Sequence, residues 1–461
     1  MMKCIRASVT ALRTPALLCA ILGAALALPL HAQEKTPDVR PPKLGFTTQK
    51  LSNGLNVILL EDRSVPVVNL QVWYHVGSKD ERPGRTGFAH LFEHLMFKGS
   101  AHVGPEEHSR LIEAVGGVAN ASTLDDYTQY YETFPSNYLE RVLWLEADRM
   151  GSLNVDEANF KAEREVVKEE RRDRVDNQPY GYIEEDLRAA AFTVHGYHHT
   201  PIGSMADLNS ATIEDVRDFF NTFYKPNNAT LIIVGDFKPE QAMAWTKKYF
   251  DGIPASTKPI PRPSEREPAQ TEERVVKKSY SNTPLPAVVI GYKIPARYTP
   301  DSYPLDLASN ILAGGESSRL FQQLLYKDQI AAQTYGFANL TEDPNLFYAI
   351  AVLNSGHTPD EGEKALENVL DGLKSQPVNA KELEKAKNQE IAGFILGRET
   401  DEERAVALGA ATVVGKDPNL VNTELERYLK VTPADIERAA KEYFVRAHST
   451  VIIVTPAETA H

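Results

Sequence analysis

His90, Glu93 and His94 stand in the run Gly87 to Lys98, GFAHLFEHLMFK, and their types and spacing carry a specific chemistry. Neutral imidazole nitrogen is a good ligand for Zn²⁺, and a catalytic zinc centre keeps one position open for water. On a helix, positions i and i+4 stack on one face with Cβ atoms about 5–6 Å apart, so His90 and His94 can reach one ion. Glu93 lies on the neighbouring flank, placed to take a proton from water at that ion. The run is apolar all round, has no Pro, and has Gly only at its start. It therefore predicts a buried helix. The plain structural alternative is a buried helix with two hydrogen-bonded core histidines.

Two imidazoles do not complete a zinc site; a third protein donor is required. The run Asp156 to Arg172, DEANFKAEREVVKEERR, is a strong helix former with acids early and bases late, as the helix dipole favours. Glu163 and Glu170 stand two turns apart on one face, and Glu169 is a rival donor beside them. An ordinary solvated helix has the same composition, so these residues alone leave the third ligand open.

Together, H-x-x-E-H and the later E-R-x-V-V-x-E-E resemble the inverzincin peptidases of the pitrilysin and mitochondrial-processing-peptidase type, peptidase family M16. The resemblance implies that His90, His94 and Glu170 bind one Zn²⁺ per chain, that Glu93 is the general base, and that Glu163 is an acid supporting the ligands from behind. It extends over Leu111 to Tyr131, LIEAVGGVANASTLDDYTQYY. There it implies a strand edge that binds the substrate as an added strand, with Asn120 and Ala121 touching its backbone. Read by itself, that stretch is a Gly116-Gly117 break followed by a strand of small residues.

The implied activity is hydrolysis of internal bonds in peptides or small unfolded proteins held in a closed chamber. The alternative is a catalytically idle relative that serves as a structural or peptide-binding subunit. One segment departs from the family. Its active members carry an Arg and a Tyr seven residues apart in the second half; here Tyr326 and Gln333 take those positions. The departure implies a second chain of the same family bearing the Arg–Tyr pair, or a homodimer. His195, His198 and His199 fall in a loop that is also similar to the family's and is not read as a second metal site; His102 and His108 have no suitable third donor nearby in sequence.

Residues 1–32 read as an export signal. Lys3, Arg6 and Arg13 precede the apolar stretch Ala16 to Leu28, and Ala32 ends a plausible cleavage site. The expected location is the periplasm or the exterior. Both cysteines, Cys4 and Cys19, lie in that segment, so the remainder has neither disulfides nor thiolate ligands. The net charge of −13 argues against nucleic acid as a partner.

The elements that must position the site belong to a duplicated chain. Thr212 matches Thr432, Asp215 matches Asp435 and Thr230 matches Thr450, at a constant offset of 220 residues. Each Thr–Asp pair reads as a helix N-cap. The expected organisation is a first domain over 44–254 carrying the zinc site, a Pro-rich linker over 255–273, and a non-catalytic copy over 274–461. The fold class is α+β, with helices layered on sheets in each half. The resemblance adds that the two domains face each other as a clamshell.

Overall fold

The chain folds around two mixed sheets whose central strands are buried on both faces, as their unbroken apolar runs require. The computed structural model describes residues 40–457, so the export signal read over 1–32 lies outside the described residues. The first sheet contains β1 (Thr47–Lys50), β2 (Asn56–Glu61), β3 (Val67–Tyr74), β4 (Val118–Thr123), β5 (Thr128–Pro135) and β6 (Ala229–Gly235). Their spatial order is β1-β2-β6-β3-β5-β4, with β2 and β6 parallel and the other pairs antiparallel. The second sheet contains β7 (Arg274–Tyr280), β8 (Ala287–Ile294), β9 (Ala331–Ala338), β10 (Asn345–Leu353) and β11 (Ser449–Pro456), in the order β7-β11-β8-β10-β9.

The helices of the first half are α1 (Phe88–Leu95), α2 (Glu107–Glu113), α3 (Leu139–Ser152), α4 (Glu157–Arg171), α5 (Ile183–Ala191), α6 (Met205–Ser210), α7 (Ile213–Phe223) and α8 (Pro239–Phe250). Those of the second half are α9 (Ser302–Ala313), α10 (Pro359–Ser375), α11 (Ala380–Leu396), α12 (Asp401–Val413), α13 (Leu420–Lys430) and α14 (Pro433–Tyr443). The duplication expected from the 220-residue offset is visible in the caps. Thr212 and Asp215 form a capping box at the start of α7, and Thr432 and Asp435 form the same box at α14. Each helix then leads into a buried strand, β6 and β11, at the heart of its sheet.

The two halves exchange helices. One face of the first sheet is covered by its own helices, including α1, α3 and α7. Its other face, with Ile58, Leu60, Trp73, Ile232 and Val234, is covered by Ala405, Leu408 and Ala411 of α12, from the second half. Reciprocally, Leu187 and Ala191 of α5 cover Val289, Ile452 and Val454 of the second sheet. Knob and hole are reversed between the two contacts. Trp73 pairs with Thr230 and meets a glycine, Gly409, on α12. The equivalent Gly291 pairs with Thr450 and faces Leu187 on α5. Lys79 ties the same seam, with Nζ at 2.8–2.9 Å from Asp126 of the first half and from Glu342 and Asp343 of the second. Residues 40 onward accordingly form one compact unit. Residues 255–273, read as a linker, carry no helix or strand.

Candidate metal centre

α1 begins where Gly87 takes a left-handed φ of 91°; a Cβ there would lie 2.8 Å from the carbonyl of Ile202. Gly87 offers the helix no capping side chain, so its first N–H groups need another partner. The buried Glu81 supplies it, accepting from the Gly87 amide at 2.8 Å and the Ala89 amide at 2.7 Å. α4 starts on a side-chain cap, Asp156, which accepts from the Asn159 amide at 2.8 Å. Phe160 and Val167 are buried on α4, and this face lies along α1.

That packing brings His90, His94 and Glu170 together. His90 Nε2 is 3.6 Å from Glu170 Oε1, and His94 Nε2 is 3.3 Å from Glu170 Oε2. The imidazole centroids are 4.9 Å apart, with ring planes at 88°. Tetrahedral zinc with bonds of about 2.0–2.1 Å separates its donors by about 3.4 Å. The three donor atoms lie within 4.8 Å of one another, so the residues present fit such an ion. Glu163 does not join them. Its carboxylate stands behind His94, 3.4 Å from Nδ1, and pairs with Lys98 at 3.0 Å. Glu169, the rival donor, points away and pairs with Arg172.

The electrostatics follow from this crowding. Burial and the neighbouring His94 push the His90 pKa down to about 4, which favours the neutral imidazole that a metal needs. Burial also opposes a cation on His94, but Glu163 and Glu170 outweigh it and hold that pKa up at about 9. The His94 hydrogen bond holds the Glu170 carboxyl below the usual range. Burial raises Glu93 against a hydrogen bond from Thr123, which is the direction a general base requires. Thr123 ends β4, so Glu93 sits beside that strand.

β4 is an edge strand. It pairs with β5 alone, placing Asn120 opposite Tyr131 and Ala121 opposite Tyr130. The Asn120 side chain accepts from the Ala121 amide at 2.8 Å. Tyr326 is highly exposed on the helical turn Phe321–Lys327, while Gln333 and Tyr335 lie on the edge strand β9 and bond to each other at 3.0 Å. Three further histidines of the described residues are engaged elsewhere. His195 accepts from the Tyr197 amide, His102 pairs with Asp148, and His108 pairs with Glu146. Among the described residues two further clusters have metal-like donors but already hold a cation: Arg149 lies between Glu132 and Glu146, and Arg446 between Glu273, Glu363 and Glu367.

Three neighbours of these site residues were not singled out from the sequence. Lys98 and Arg174 each stand four residues beyond a site residue, a helical spacing that could have flagged them. Glu81 gave no such signal, because a loop carries it to the start of α1.

Comparison with known proteins agrees with this architecture. The family model described as "Insulinase (Peptidase family M16)" matches residues 56–203, and that described as "Peptidase M16 inactive domain" matches residues 210–390. The zinc protease PqqE of Helicobacter pylori is 33% identical over 441 residues, covering 95% of this chain and 98% of the relative. A crystal structure of a protease from Helicobacter pylori superposes with a TM-score of 0.86 at 33% identity, over 90% of this chain and all of that one. The first half of the periplasmic protease PqqL from Escherichia coli shares the fold, with a TM-score of 0.71 at 19% identity, over 90% of this chain and 93% of that one. The chain belongs to peptidase family M16.

Proposed function

We propose that this chain is a zinc metalloendopeptidase that cleaves internal bonds of peptides or small unfolded proteins. The observation that carries the reading is the convergence of His90 Nε2, His94 Nε2 and the Glu170 carboxylate beside the half-buried Glu93. Those three residues would hold one zinc ion, and Glu163 would fix the His94 ring through its second nitrogen, as carboxylates behind metal-bound histidines do. Bound there, zinc acts as a Lewis acid toward water and a peptide carbonyl. Glu93 takes the proton from the attacking water and passes it to the leaving amine. The open edge of β4, with Asn120 and Ala121, receives the substrate as an extra strand, which orients the bond by main-chain hydrogen bonds.

Tyr326 and Gln333 stand where active relatives carry Arg and Tyr, which favours a second family chain that supplies that pair; a homodimer is the other assembly. The apolar leader read in the sequence, together with the likeness to a periplasmic protease of Escherichia coli, supports action in the periplasm. Among the described residues no helix is long and apolar enough to cross a membrane.

The test is direct. The purified chain, alone and with its candidate partner, should bind one equivalent of zinc and cleave a peptide library in a chelator-sensitive way. Glu93→Gln should keep the zinc and lose turnover. Full turnover by that variant would refute the role of Glu93. Zinc binding without cleavage under any pairing would favour the idle-subunit alternative.

A further inference from the structure

Arg174 stands one turn beyond Glu170, in the π-helical stretch Arg172–Asp176 that extends α4. The Asn177 amide donates to the Arg172 carbonyl at 2.8 Å, the i→i+5 bond of that wider turn. Such turns are frequent at functional sites. Arg174 Nη1 is 2.7 Å from Glu170 Oε1, yet the arginine side chain is 72% exposed.

The other basic residues here are committed to acids other than Glu170. Lys98 pairs with Glu163 and Glu106, Lys168 with Glu165, and Arg172 with Glu169. Arg171 is buried against Glu185. Among the described residues, Glu170 is the only acid within ion-pair distance of Arg174. A guanidinium has five N–H donors in a fork that matches a carboxylate. The guanidinium meets Glu170 at Nη1 and the side chain is 72% exposed, so much of the fork faces solvent beside Glu170. Its field reaches His90, Glu93 and Glu170. A cation bound by Glu170 would take up part of the charge that now holds Arg174, freeing the fork further.

We propose that Arg174 is a specificity residue that gives this centre a preference for peptides with an acidic side chain beside the cleaved bond. The inference rests on the peptidase reading above. Its location limits the reach: the fork lies one side chain from the donor atoms, so it meets the residues flanking the scissile bond and not distant parts of the peptide. It is also a local exception in a chain of net charge −13, which would otherwise repel acidic peptides.

The experiment uses the zinc-loaded chain, with its partner where turnover needs one. Two peptides are compared that differ only by Glu or Gln next to the cleaved bond, on each side in turn. On one side the wild type should favour Glu by about twofold to fivefold in kcat/KM, the size of one exposed ion pair, with the difference mainly in KM. Arg174→Gln should bring that ratio to about one, Arg174→Lys should keep part of it, and Arg174→Glu should invert it. Zinc content is measured for every variant. A ratio unchanged in Arg174→Gln overturns the proposal. So does a loss of zinc at an unchanged ratio, because Arg174 would then act only through Glu170. If the wild type cleaves neither these peptides nor any member of the library, the peptidase reading fails, and fluorescence anisotropy of labelled peptides on the zinc-loaded chain decides the inference. Tighter binding of the Glu peptide that Arg174→Gln abolishes supports it, and equal binding overturns it.

Discussion

Gly409→Ala tests the exchange of helices between the halves. A Cβ at that position would lie 2.2, 2.4 and 2.7 Å from three atoms of the Trp73 indole, all inside van der Waals contact. The ring cannot step aside freely, because its N–H donates to Gln71 Oε1 at 2.7 Å and the side chain is fully buried. In an isolated helix the same substitution would stabilise by about 1 kcal/mol. Overpacking a close-packed contact costs about 1–3 kcal/mol, and a pinned ring places this case at the upper end. The sign therefore decides the argument: the variant should be destabilised by about 1–2 kcal/mol net, despite the gain in helix propensity. The assay is denaturant unfolding followed by Trp fluorescence and by circular dichroism. Because α12 covers the first sheet, both probes should shift together. Trp73→Leu opens space at the contact, so the double variant should be less destabilised than the sum of the singles, with a coupling of about 1 kcal/mol or more. A stabilised Gly409→Ala, or strictly additive effects, would refute the packing account.

Two other outcomes follow from the geometry. Glu163→Gln loses the charge behind His94 Nδ1 and should weaken zinc binding about 10–100-fold, read by chelator competition; unchanged affinity would remove Glu163 from the site. Glu390 has its carboxyl pushed up to about 7 by burial and by the nearby Asp306. The native state then holds the proton over a range where the unfolded chain has lost it, so wild-type stability should fall as pH rises from about 4.5 to about 7. Glu390→Gln, which can still accept from Asn310, should flatten that fall in thermal melts between these pH values; an unaltered slope would place the titrating group elsewhere.

The sequence by itself determined the local chemistry. The spacing of His90 and His94 put two imidazoles on one helical face, and α1 spans both. The Thr–Asp pairs announced two equivalent helix starts, and both boxes form. These features depend on neighbours within a turn or two, where helix geometry fixes what meets what. Family resemblance, not spacing, selected Glu170 over Glu169 and Glu163. Only the tertiary structure decided the rest. The crossing of α4 on α1 turns Glu170 toward both imidazoles and leaves Glu163 behind one of them. The capping of α1 by Glu81, and the covering of the first sheet by α12, join residues that no periodicity links. A sheet buried on both faces must find a second layer, and its strands record that need as unbroken apolar runs. They do not record which distant helix answers it, because that is settled by shape, here a glycine opposite an indole.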